Sequence, residues 1–303
     1  MGTPTNESTI LVVGATGYLG MAVCQQLTAA HKKVTGLVRK TAATDKVNAL
    51  KQWGVQLVEG DLKDRASLKK ALQGITTVIS TASSTISMQD GDNIQSVDNE
   101  GQSNLVDEAI AAGVKQYIYV SVPPMGDSPL IKAKRKVEGK ITASKLSYTI
   151  LQPTFFTEAW LSPMIGFDFP NAKATIYGDG KNKISWISIG DVAAFAVASL
   201  DNPAAKNKVI QLGGPEALSP LEVVALFEKS GGRKFEVQHV PVAALEAQKN
   251  AAPDDLGKSF SSLMLVYAEG SEINMKETLH SFPLKLKSVL DYAKQVSPIG
   301  QPA

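Results

Sequence analysis

Cysteine is almost absent: Cys24 is the one example in 303 residues. No disulfide can form within the chain, and a reducing compartment suits it. Histidine is nearly as scarce, and His31, His239 and His280 lie far apart with no metal-ligand spacing. No metal is predicted. No apolar run approaches the length of a membrane span, and the polar start from Met1 to Thr9 carries no charged-then-apolar signal, so a cytoplasmic protein is expected. An excess of charge is missing too: the formal net charge of +2 argues for neither a nucleic acid nor a membrane surface as partner.

What remains is an ordinary globular composition, 44% hydrophobic and 20% charged, in a chain long enough for a sizeable core. Short apolar runs at Ile10 to Val13, Val34 to Val38, Val55 to Val58, Thr77 to Ser80, Tyr117 to Val120 and Tyr148 to Leu151 read as strands. They do not alternate with polar residues, as expected of parallel strands covered on both faces. Helical spacing fills the gaps at Tyr18 to Ala30, Leu68 to Leu72, Asn93 to Ala112 and Leu130 to Ser144, with Gly113 as a stop. Cys24 falls inside the first helix, where burial is the ordinary fate of such a thiol. The β-α-β tempo predicts an α/β fold, a Rossmann doubly wound parallel sheet.

Beyond Leu151 the pattern loosens around Pro153, Pro163, Pro170 and the Gly178-Asp179-Gly180 turn. Residues 1–152 are expected to form the Rossmann domain, with return segments near 184–212, and residues 153–303 a smaller interleaved lobe. Asp191 is expected to cap a helix from Val192 to Leu200, and Val209 to Leu212 to form a further strand. Ser219-x-x-Glu222 reads as a capping box opening another helix. Lys234 to Val240, Leu256 to Tyr267 and Leu286 to Val296 complete the lobe.

Directly after the first strand stands Gly14-Ala15-Thr16-Gly17-Tyr18-Leu19-Gly20. A glycine turn between strand and helix presents free N–H groups and the positive end of the helix dipole to a pyrophosphate. Gly14 serves the tight turn, Gly17 the close approach of a ligand, and Gly20 the packing of helix on strand. Thr16, Tyr18 and Leu19 complete the expected cofactor contacts of this turn. The second strand ends in Val38-Arg39-Lys40, without the carboxylate that grips a free ribose 2′-hydroxyl. Arg39 can fork onto a 2′-phosphate and Lys40 adds a second charge, which selects NADP(H); a solvated basic loop is the alternative. Asp61 and Leu62 follow the third strand, where Asp61 either meets an adenine edge or belongs to a helix cap near Asp64. Thr81, Ala82 and Ser83 follow the fourth strand, at the end of the sheet where ligands bind.

Gly-Ala-Thr-Gly-x-Leu-Gly resembles the fingerprint of extended and atypical short-chain dehydrogenase/reductases. That family carries Tyr-x-x-x-Lys on the helix after the fifth strand, the lysine lowering the tyrosine's pKa for acid-base work. The resemblance maps the lysine onto Lys134 and the tyrosine onto Leu130, so the tyrosine is missing; Tyr117 and Tyr119 do not replace it by position. Loss of the tyrosine with the lysine retained is similar to the NmrA-like branch, which holds quinone, isoflavone-type and benzylic-ether reductases and dinucleotide-binding regulators. Tyr148 to Phe156, including Pro153, resembles that branch's Tyr-Thr-x-x-Arg-Pro-x-x-Phe segment with Gln152 in place of Arg. Ile187 to Ala193 resembles its Ile-Ser-x-x-Asp-Val-Ala segment. The resemblance runs from Thr9 to Gly214.

It implies a cofactor or catalytic role for Lys134, with Lys132 as competitor on the same basic helix. Ser121 lies near the family's catalytic hydroxyl, although a structural role suits the apolar residues that follow. Phe155 is expected against the cofactor, and Met125, Phe156 and Trp160 are expected to wall a pocket for a flat apolar substrate unless they serve the core. The expected activity is NADP(H)-dependent reduction of a small carbonyl, quinone or activated alkene. The alternatives are an NADP(H)-sensing regulator with a protein partner and no turnover, or a sugar-nucleotide epimerase or dehydratase.

Overall fold

The structure is a computed structural model that describes residues 9–87 and 89–297. Except for Thr9, the polar start read from the sequence lies outside the described residues. In chain order the elements are β1 (Thr9–Val13), α1 (Tyr18–Ala29), β2 (Lys33–Val38), α2 (Thr44–Gln52), β3 (Gln56–Glu59), α3 (Arg65–Ala71) and β4 (Thr77–Ser80). A π-helix (Ile94–Gly101) leads into α4 (Gln102–Ala111), followed by β5 (Gln116–Val120), α5 (Pro129–Thr142) and β6 (Ser147–Pro153). Then come α6 (Thr157–Trp160), β7 (Phe167–Asp168), β8 (Lys173–Tyr177), α7 (Ile189–Ala198), β9 (Lys208–Leu212), α8 (Pro220–Gly231), β10 (Glu236–Val240), α9 (Val242–Ala251), α10 (Asp255–Glu269), α11 (Lys276–Ser281) and α12 (Val289–Val296).

Seven strands form one sheet in the order β3-β2-β1-β4-β5-β6-β9. The pairings from β3 through to β6 are parallel. Ile10, Leu11, Val12 and Val13 are all buried although successive side chains point to opposite faces, so both faces of β1 are covered. This is the doubly wound Rossmann arrangement, and the order reverses at β1, which has β2 on one side and β4 on the other. β10, β8 and β7 form a second, three-stranded sheet.

The chain divides into two compact units. The first comprises residues up to 121 together with 133–151 and 193–210. Its core gathers Leu11, Val13, Leu37, Val78, Leu105, Tyr117 and Ile150. The second comprises 122–132, 152–192 and residues from 211 onward. Its core is more aromatic, with Phe155, Phe167, Trp186, Phe227, Tyr267 and Tyr292 buried together.

The helix read at Asn93 to Ala112 is two structures. Asn93 and Ser96 form a reciprocal cap on the π-helix, and α4 continues from it. The cap assigned to Asp191 is corrected as well: α7 starts at Ile189, three residues before the expected Val192, and the Ser188 hydroxyl accepts from the Asp191 N–H at 3.0 Å. Asp191 instead accepts from the backbone N–H of Lys287 at 2.9 Å. The Ser219–Glu222 capping box is present as read. Among the described residues no helix is long and apolar enough to cross a membrane, and no group of three or more His, Cys, Asp or Glu side chains could hold a metal ion.

Candidate functional site

Strand register brings the first unit's candidate residues to one end of the sheet. Val13 pairs with Leu37 and Ser80, and Val38 with Glu59, so Gly14, Arg39, Gly60 and Thr81 emerge side by side. Gly14 has φ 84°, a left-handed conformation that glycine adopts without strain. A Cβ on Gly14 would lie 2.8 Å from the Ala82 nitrogen, and one on Gly20 would lie 2.0 Å from the Gly14 carbonyl oxygen. Thr81 ties this crossing down, donating to the Val13 carbonyl through its N–H at 2.9 Å and its hydroxyl at 3.1 Å. Gly17, extended, occupies the N-cap of α1 without a side-chain cap, so the first turn's N–H groups meet no capping oxygen. Of its neighbours, Tyr18 is exposed and carries Lys46 over its ring at 5.2 Å. Leu19 turns into the core, which leaves its backbone alone for a ligand.

Arg39 and Lys63 both bind the carboxylate of Asp92, whose side chain is 2% exposed. The Ser87 hydroxyl donates to the same carboxylate. Burial alone would raise the Asp92 carboxyl, but hydrogen bonds from Lys63, Ser87 and Arg39 outweigh it and hold it below the usual range. Lys63 responds in the opposite sense: burial would lower its ammonium, yet Asp92 and Asp61 raise it. Asp61 lies 3.2 Å from Lys63 and accepts from its N–H at 2.8 Å, while Asp64 supplies the α3 cap by accepting from Ala66 at 3.0 Å. Leu62 is buried in the core. Arg39, exposed Lys40, Asp61 and Lys63 line a cleft of about 330 Å³ together with Gly60 and Gln89.

Further along the sheet edge, the two competing lysines differ in environment. The Lys132 side chain is 71% exposed and pairs with the equally exposed Asp127 at 3.1 Å. Lys134 is buried, its ammonium 3.2 Å from Asp98 Oδ1 and 5.3 Å from the centre of the Tyr119 ring. Asp98 Oδ2 accepts from the N–H of Ser84 at 3.0 Å and from its hydroxyl at 2.6 Å. Gln102, one turn on, accepts from Ser80 at 2.8 Å and donates to the Ala82 carbonyl at 2.7 Å. The π-helix and α4 thus clamp the segment containing Ala82 and Ser83. π-helical turns concentrate at functional positions, and Asp98 sits inside this one. Burial, with the negative charges of Asp98 and Glu138, pushes the Tyr119 phenol far above its ordinary value, so Tyr119 keeps its proton. Leu130, at the place of the missing tyrosine, is buried. The Ser121 hydroxyl, also buried, has no hydrogen-bond partner among the described residues; the structural role read for it therefore has no bond behind it.

Sequence reasoning did not single out Lys63, Asp92, Asp98 or Gln102. A signal existed for Asp98: it shares a buried face with Ile94, Val97 and Gly101, and a carboxylate on such a face needs a partner.

In the second unit, Phe155 is a core side chain, edge-on to Trp160 at 4.7 Å and packed near Trp186 and Tyr267. Its ring is fully buried among these aromatics. Pro153 is buried at the end of β6. Trp160 stacks between Tyr267 at 5.8 Å and Phe260 at 6.3 Å, and Met125 packs against the same aromatic core. Phe156 is half-buried, its backbone bridged to Ile187.

A sequence profile described as the NmrA-like family matches residues 6–294. The isoflavone reductase homolog IRL of Zea mays is 34% identical over 270 residues, covering 82% of each chain. The photosystem II assembly factor Ycf39 of Trieres chinensis is 31% identical over 240 residues, 78% of this chain and 73% of its own. Among solved structures, AtPrR2 with NADP+ and (+)pinoresinol superposes with a TM-score of 0.77 at 25% identity, covering 97% of this chain and 99% of that one.

Proposed function

The chain belongs to the NmrA-like family, and from that premise we propose that it is an NADP(H)-dependent reductase of a small, flat, largely apolar carbonyl, quinone or activated alkene. The observation that carries this reading is the open first turn of α1, a cradle formed where Cβ atoms at Gly14 and Gly20 would collide with backbone. The residues present fit the cofactor: donors without a cap suit a pyrophosphate, and Arg39 lies at the end of the adjacent strand for a 2′-phosphate. A bound dihydronicotinamide would supply the hydride. Lys134, held by Asp98, would hold the cofactor's ribose and offset the charge developing on the substrate oxygen. The unpartnered Ser121 hydroxyl donates to the substrate oxygen. Proton delivery falls to Lys134 or to water, because Leu130 has no proton to give. AtPrR2 in its complex with NADP+ and pinoresinol supports the cofactor.

A second reading, an NADP(H) sensor that acts on a protein partner without turnover, is favoured by two observations. The tyrosine position holds a buried leucine, and a relative of similar identity is named as an assembly factor. Calorimetric titration with NADPH, NADP⁺, NADH and NAD⁺, followed by NADPH consumption with quinone and enone acceptors, separates the two. Preference for NADPH with turnover supports the reductase. Equal affinity for oxidised and reduced forms with no turnover supports the sensor, and absence of binding removes both.

A further inference from the structure

We propose that Lys63 and Arg39 together form the site for the ribose 2′-phosphate, and that Asp92 is an internal counter-ion which the phosphate displaces. The proposal rests on the NADP(H) reading above. Arg39 Nη1 meets Asp92 Oδ2 and Lys63 Nζ meets Asp92 Oδ1. The two cationic groups are therefore spaced by one carboxylate, a spacing at which one phosphate group accepts from both.

Burial of the three partners is unequal. The Asp92 side chain is 2% exposed, whereas Arg39 and Lys63 keep 35% and 32% of theirs exposed. The cleft of about 330 Å³ is lined by these two cations and Lys40 and, around them, by the carboxylates Glu59, Asp61, Asp64 and Asp90, but not by Asp92. An anion arriving through the cleft reaches the cations from their open side. Carrying more charge and more acceptor oxygens than a carboxylate, a phosphate wins the exchange. Lys63 reaches this place because the turn after β3 folds back on itself, its N–H bonded to Asp61 at 2.8 Å. Asp92, for its part, prevents two neighbouring positive charges from facing each other unpaired in the free protein, at a cost in affinity when the phosphate must replace it.

The test is fluorescence titration of the full chain with NADPH and with NADH, using Lys63→Ala, Lys63→Arg and Asp92→Asn, each checked for folding by thermal melting. Lys63→Ala is expected to weaken NADPH by about tenfold to hundredfold, the range of a charge-assisted hydrogen bond, with NADH changed less than about twofold. Lys63→Arg should retain most of the NADPH affinity. Asp92→Asn should tighten NADPH by about fivefold or more and leave NADH unchanged. Equal losses for both cofactors in Lys63→Ala, or none, overturn the role of Lys63. Weaker NADPH binding in Asp92→Asn overturns displacement and makes Asp92 a support of the site. If the unsubstituted protein binds neither cofactor, the NADP(H) reading itself has failed, a result distinct from both.

Discussion

Lys134 and Asp98 form an ion pair inside the first unit, with Nζ 3.2 Å from Oδ1 and side-chain exposures of 5% and 0%. Removing one member of such a pair leaves the other charge buried without compensation, at about 3–5 kcal/mol. Lys134→Ala and Asp98→Ala should each cost about that much in urea unfolding. The double replacement Lys134→Ala with Asp98→Ala should cost well under the sum of the singles, by the logic of a coupled pair. Additive losses would show that the two residues do not act on one another.

Two glycines of the first unit, Gly20 and Gly139, should respond in opposite ways. Gly20→Ala places a methyl group 2.0 Å from the Gly14 carbonyl oxygen, a backbone atom that cannot step aside. A loss of about 3 kcal/mol or more is expected, with dinucleotide binding abolished in whatever folds. Gly139 is exposed within α5, and a Cβ there meets nothing within 4 Å. Gly139→Ala should stabilise the protein by about 0.5–1 kcal/mol. A destabilised Gly139→Ala would contradict the open surroundings of that residue.

Acid sensitivity should trace in part to Asp92. Its carboxyl is held below the ordinary value, so it takes up its proton less readily when folded. Its contribution to stability is fully present above about pH 4, the unfolded value, and is lost as pH falls through the folded value. Melting temperatures of the unsubstituted protein and of Asp92→Asn should differ most near neutrality and converge on acidification. Parallel curves down to acid pH would assign the acid limb to other carboxylates.

Cys24 should resist modification. Burial in α1 pushes its thiol up to about 12, so almost no thiolate exists near neutral pH. A disulfide reagent should label it only as urea unfolds the first unit, with a labelling midpoint matching the unfolding transition. Rapid labelling of the native protein would show that α1 opens from the sheet.

The strands of the first unit were readable because a sheet covered on both faces demands unbroken apolar runs, and Val12, Val78 and Ile118 supply them. α2 was not readable. It buries Leu50 alone among its nine residues, which leaves no apolar stripe to betray a helix. β7 spans two residues and takes its shape from pairing with β8. In the candidate site the glycine turn and Arg39 were legible because a local backbone requirement fixes the first and strand order the second. Asp92 was not, since it meets Arg39 across 53 positions of sequence through a loop without periodicity. The π-helix escaped for a related reason: apolar spacing at Ile94, Val97 and Gly101 fits an α-helix as well, and only the wider winding distinguishes them.

The two units alternate along the chain in three segments each, so the polypeptide passes between them at residues 121, 132, 151, 192 and 210. Neither unit corresponds to a contiguous stretch of gene. A fusion or recombination event with a single breakpoint cannot lift the aromatic unit away and graft another in its place. Exchange of that unit would need simultaneous changes in 122–132, 152–192 and the residues from 211 onward.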